Sequence, residues 1–169
     1  MLPHIILENL QRIEPDAQFT GNLPKVQSSI GQTYFVKVGS PSESEQYLGE
    51  ARSLEAIGTA APGLAPAMIA YGDGEDGKPF FISEYKNMAP LSSSTSEFLA
   101  KRLATELHQY KSHEGFGFEI PTFCGATRQR NGWYKTWEQC YSSLIGNLLD
   151  GLSQREYGGL MTKGERIRE

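Results

Sequence analysis

Between residues 17 and 85, apolar and polar positions alternate in short runs broken by turn-forming residues, the pattern of half-buried strands. "KVQSS" and "TYFVKV" flank "IGQ", a glycine-bearing loop that suits a β-hairpin. "PAMIAYG" and "PFFISEY" flank "DGEDGK", an acidic glycine-rich turn that predicts a second hairpin. Between them, "SPSESEQYLGEARSLEAIG" changes to a helical period. Ser42 and Glu45 form a capping-box pattern after Pro41, and Gly58 supplies a stop. The predicted order is strand, strand, helix, strand, strand, with an extra strand near Ala17 to Thr20.

The period lengthens in the second half. Ser94 and Glu97 form another capping-box pattern, followed by Leu99, Leu103, Leu107 and Tyr110 at helical spacing. After the loop "SHEGFGFEIPTFCGATRQRNGW", Thr136 and Gln139 cap a further helix. Trp137, Tyr141, Leu144, Ile145 and Leu148 continue it as one apolar stripe to Gly151, and Trp133 and Trp137 are expected to anchor a core. From Leu152 the helical signal is weak, and no strand pair is expected between 94 and 169. The chain therefore reads as α+β, with a β-rich lobe over residues 1–86 and a helical one over 87–169.

Composition narrows the partners. A length of 169 residues suits one domain or two small lobes. A net charge of −4 without a basic cluster argues against nucleic-acid binding, which requires neutralised phosphates. No apolar run reaches membrane-spanning length. "MLPHIILENLQRIEPD" has neither the basic start nor the apolar stretch of a signal peptide, so a cytoplasmic location is expected. Cys124 and Cys140 read as free thiols in a reducing compartment.

One lysine stands out. Lys37 shares a strand face with Phe35, and Glu50 falls among Tyr47, Leu54 and Ile57 on the predicted helix. A carboxylate in an apolar stripe is costly unless paired. A helix packed on that sheet could bring the two charges together and fix an amine where it meets phosphate oxygens. From spacing alone, two unrelated charges at the core's edge are the favoured reading, since such lysines snorkel to water. "TGNLPK", residues 20–25, falls at the first turn, where Gly21 permits close backbone approach to a ligand. It matches neither GxGxxG nor the Walker A pattern, so an ordinary turn is the alternative. His108 and His113 are five apart, which places no two metal ligands on one helical face, and His108 reads as a structural residue ending its helix. No nucleophile constellation emerges.

These segments, in this order, resemble the fructosamine kinase family (ketosamine-3-kinases or protein-ribulosamine 3-kinases), relatives of aminoglycoside phosphotransferases. "YFVK" is similar to its strand lysine, "YLGEARSLEAI" to its helix with the pairing glutamate, and "APAMIAYG" and "FFISEY" to the strands before its hinge. "LATELH", "GFGF" and "GATRQRNGWYKTWEQCY" resemble its following segments. The resemblance implies a protein-kinase-like fold with ATP under the "TGNLPK" loop. Lys37 would meet the nucleotide phosphates while held by Glu50, and the backbone from Glu84 through Tyr85 to Asn87 would receive adenine. It further implies Mg²⁺ as the nucleotide's partner and phosphorylation of the 3-hydroxyl of ketosamines on glycated protein lysines. The product is unstable and releases the amine, which is deglycation.

The family's His-Gly-Asp-x-x-x-x-Asn segment and the metal-binding Asp after it are not found, since no histidine here precedes Gly-Asp. No residue is therefore assigned as catalytic or metal-binding. The expectation is a chain truncated before the catalytic loop, holding the ATP-binding part and inactive alone. The alternatives are a non-catalytic scaffold or pseudokinase module and, less favoured by "GFGF" and "TRQRNGW", another small-molecule kinase of this fold. A partial helical lobe should also leave apolar surface exposed and favour self-association.

Overall fold

The alternation at residues 33–38 becomes β3 (Thr33–Val38), the middle strand of a five-stranded antiparallel sheet. The others are β1 (Phe19–Asn22), β2 (Lys25–Ser28), β4 (Met68–Asp73) and β5 (Pro79–Glu84), ordered β1-β2-β3-β5-β4. The structure, a computed structural model, describes residues 1–153, with only the backbone of Glu75. It divides the chain into two compact units, Met1–Tyr110 and Lys111–Glu169. The weak helix expected beyond Leu152 lies, after Ser153, outside the described residues. Both predicted hairpin pairings are present, and the extra strand falls two residues beyond its expected start.

In the first unit, strand alternation sends Val26, Tyr34, Val36, Phe80 and Ile82 to one face, where they close over Ile6 and Leu10. Those two side chains come from α1 (His4–Ile13), an N-terminal helix that the sequence pattern did not predict. Their four-residue spacing puts both on one helical side. Glu14, just past α1, ties it to the sheet. Its carboxylate accepts from the Tyr34 hydroxyl at 2.6 Å and from the Ser28 hydroxyl.

Burial, the Glu14 hydrogen bond and the Glu14 charge push the Tyr34 phenol up to about 12. A phenol in the unfolded chain ionises near ~10. Between these values the unfolded chain sheds a proton that the folded one keeps, so the neutral phenol's contribution is complete below pH ~10 and lost toward pH 12. Tyr34→Phe should therefore lose less melting temperature than the wild type between pH 9.5 and 11.5 (approximate bounds set by ordinary tyrosine ionisation). Parallel pH-dependent slopes would remove Tyr34 from this role.

The opposite sheet face carries α2 (Ser44–Ala60), preceded by a 3₁₀ turn at Pro41–Glu43. Its entry cap is not Ser42 with Glu45. Ser40 is extended before Pro41, and its N–H donates to the Glu43 carboxylate at 2.7 Å. Gly58 does not stop the helix, which runs to Ala60. Likewise α3 (Ser93–Thr105) is capped by Ser92 and Thr95 rather than Ser94 and Glu97, with Ser92 N–H donating to Thr95 Oγ1 at 2.7 Å. Arg102 on α3 donates to Pro62 O at 2.7 Å and pairs with Glu106. His108 sits exposed on the 3₁₀ turn that follows the end of α3.

The second unit is not purely helical. β6 (Phe116–Gly117) pairs with β9 (Trp133–Tyr134), and β7 (Thr122–Cys124) pairs with β8 (Thr127–Gln129). Strands of two or three residues are too short to show a period, which is why the pattern hid them. α4 (Trp137–Ser153) starts at the expected cap, with Gln139 N–H donating to Thr136 Oγ1 at 3.3 Å. Asn131 holds the loop by donating to Ile120 O and Thr122 Oγ1. The two tryptophans are not core anchors: Trp133 is 39 % and Trp137 57 % exposed, while Cys140 and Leu149 are buried.

Candidate functional site

The site grows from the sheet face opposite α1. Cross-strand register pairs Lys37 with Phe81 and Phe35 with both Lys25 and Ser83, so these side chains share that face. α2 packs over β4 and β5 and brings Glu50 to Lys37, with Nζ to Oε2 at 2.5 Å. Both side chains are partly exposed, at 28 % and 41 %, so the ion pair is partly open to water. The two charges that spacing left unrelated or paired are paired.

Two rings hold the ammonium in place. Lys37 Nζ lies 4.9 Å from the ring centres of both Tyr47 and Phe81, within cation–π range. Tyr47 reaches it because the residue after β3 is Gly39, where an added Cβ would stand 2.9 Å from Tyr47 Cζ. Burial, with the charges of Glu43 and Glu50, holds the Tyr47 phenol above its ordinary range. Tyr47 entered the sequence reading only as a helix-stripe residue. Its contact with Lys37 depends on Gly39, and no periodicity reveals that.

The remaining candidates line the same lobe. Gly21 lies in β1 at φ +121, opposite Val26, and an added Cβ would meet Lys25 O at 2.5 Å. The hairpin itself thus demands glycine there. Lys25, next to that turn, places its ammonium 4.8 Å from the centre of the Tyr85 ring. At the end of β5, the N–H groups of Glu84 and Tyr85 donate to Ala67 O at 2.9 Å and Thr33 O at 3.3 Å. The Glu84 carboxylate is held below its usual range mainly by Lys86, whose Nζ is 2.5 Å away. Asn87 follows in the exposed connection to α3. Among the described residues, no group of three or more His, Cys, Asp or Glu side chains could hold a metal ion. No described helix is long and apolar enough to cross a membrane.

The arrangement is a sheet face with a fixed, partly exposed ion pair at one position and an exposed connection past β5. Known proteins resemble the chain in fold and in sequence. A chain with 21 % identity, the putative fructosamine-3-kinase of Haemophilus somnus, superposes with a TM-score of 0.69 over 89 % of this chain and 54 % of its own. At that identity the likeness shows the fold. A probable ketoamine kinase of Vibrio parahaemolyticus is 28 % identical over 106 residues, covering 63 % of this chain and 36 % of that protein. The chloroplastic protein-ribulosamine 3-kinase of Oryza sativa is 30 % identical over 141 residues, covering 81 % of this chain and 40 % of that protein. The chain thus spans less than half the length of these curated relatives. A family model described as fructosamine kinase matches residues 20–169, most of the chain, and on that match the chain belongs to the fructosamine kinase family.

Proposed function

We propose that this chain forms the ATP-binding part of a cytoplasmic kinase acting on protein-bound ketosamines. The Lys37–Glu50 ion pair carries the reading. Its ammonium is fixed by a carboxylate and two rings yet remains partly open to water, the state required to meet phosphate oxygens. The residues fit an adenine nucleotide at the other end too. With the N–H groups of Glu84 and Tyr85 already engaged, the base would take a donor from Lys86 or Asn87 and an acceptor from the Glu84 carbonyl. The Gly21 turn would lie over the phosphates with little side-chain bulk. ATP, when bound, supplies the transferable phosphoryl group, with Mg²⁺ as its companion ion, and no side chain of this chain is assigned to the metal.

Transfer to the 3-hydroxyl of a ketosamine needs a carboxylate at the acceptor and carboxylates on the metal. The 169 residues hold no His-Gly-Asp segment to provide them, so the chain alone binds nucleotide without turning it over. The exposed rings of α4 are the surface through which self-association would run.

Thermal melting with and without ATP and Mg²⁺ tests the nucleotide reading. The wild type should gain stability that grows with ATP concentration, and Lys37→Ala should keep its unliganded melting temperature while losing most of that gain. Equal gains, or none in either protein, would take Lys37 out of a nucleotide site.

A further inference from the structure

A cavity of about 230 Å³ lies between the start of α2 and the β4–β5 hairpin. Its wall is largely apolar and includes Tyr47, Leu48, Tyr71 and Pro79. Its edge carries the carboxylates of Glu45 and Asp73, and Ser44 Oγ donates to Asp73 at 3.2 Å. Leu48, which lines this cavity, is 39 % exposed.

Tyr47 belongs to both places. It lines the cavity, and its ring centre stands 4.9 Å from Lys37 Nζ. Glu50 follows it by one helical turn. Whatever fills the cavity therefore touches the residue that packs against the Lys37 ammonium, on the helix that supplies its counter-ion.

We propose that this cavity is a docking site for a basic peptide segment that inserts one aromatic side chain, and that its occupancy changes nucleotide affinity through Tyr47. The occupant follows from the chemistry of the site. The volume and apolar wall suit a single large side chain. The acidic edge favours lysine or arginine beside it and disfavours acidic neighbours. The coupling rests on the nucleotide reading above, whereas the docking does not.

The test uses the full chain and three capped peptides, Arg-Phe-Arg, Arg-Ala-Arg and Glu-Phe-Glu, followed by NMR titration. Arg-Phe-Arg should bind at least about tenfold more tightly than the other two, a factor typical of losing one anchor contact. Leu48→Arg, at a partly exposed position, should weaken Arg-Phe-Arg about tenfold with an unchanged melting temperature. Equal binding of the three peptides, or an unaffected Leu48→Arg, overturns the docking site. Saturating ATP should change the Arg-Phe-Arg affinity by the same factor as the peptide changes that of ATP, as reciprocity requires. ATP binding without any such change overturns the coupling alone. Absence of ATP binding overturns the nucleotide reading and the coupling with it, while the peptide series still decides the docking.

Discussion

Leu10→Ala should lower the unfolding free energy by about 2–5 kcal/mol, the range for emptying a buried leucine site. Leu10 is fully buried, and with Ile6 it fills the sheet face that also receives Val36 and Ile82. Ile13, on the same helix, is 47 % exposed, and its replacement by alanine should cost well under half as much. Chemical denaturation followed by far-ultraviolet circular dichroism reads both variants. The contrast with the candidate site is informative, because Lys37 leaves β3 on the opposite face from Val36. Leu10→Ala should lose stability while the folded protein keeps its ATP response, and Lys37→Ala should show the reverse. If Leu10→Ala costs no more than Ile13→Ala, α1 is not part of the core.

That helix also shows where a sequence stops being informative. Ile6 and Leu10 stand at helical spacing behind Pro3, so a signal was present. A ten-residue helix, however, owes its stability to packing rather than propensity, and its partner strands come later in the chain. The two hairpins were legible because alternation and turn chemistry agree within each of them. The helix entries were off by two residues because "SPSESE" and "SSSTSE" offer overlapping caps. Pro41 favours Ser40, since the residue before a proline is driven extended, as an N-cap must be. The Lys37–Glu50 pair was legible as an option, and only the packing of α2 on the sheet turned it into a contact of 2.5 Å. The exposure of Trp133 and Trp137 was not legible at all, because burial belongs to neighbours and not to residue type.

Gly117→Ala should unfold or severely loosen the second unit. Gly117 has φ +140, and a Cβ placed there would collide with Gly132 O and stand 2.9 Å from Gly132 C. Both obstacles are backbone, so no rotamer change relieves the contact, and the β6–β9 pairing must open. With it go the Phe116–Tyr134 register and the support for the Phe116 ring, whose centre lies 6.3 Å from that of Trp137. The loss should reach roughly 3 kcal/mol or more, combining backbone strain with lost pairing. Gly125→Ala is the control. Its φ of +59 is also left-handed, but nothing lies within 4 Å of an added Cβ, so only about 1 kcal/mol of strain is expected. The chain has two tryptophans, Trp133 and Trp137, both in this unit, so their emission reports on it selectively. Gly117→Ala should shift that emission and its melting curve strongly, and Gly125→Ala only slightly. Matching curves for the two variants would mean that the β6–β9 pair does not hold this unit together, and that Phe116 and Trp137 meet for some other reason.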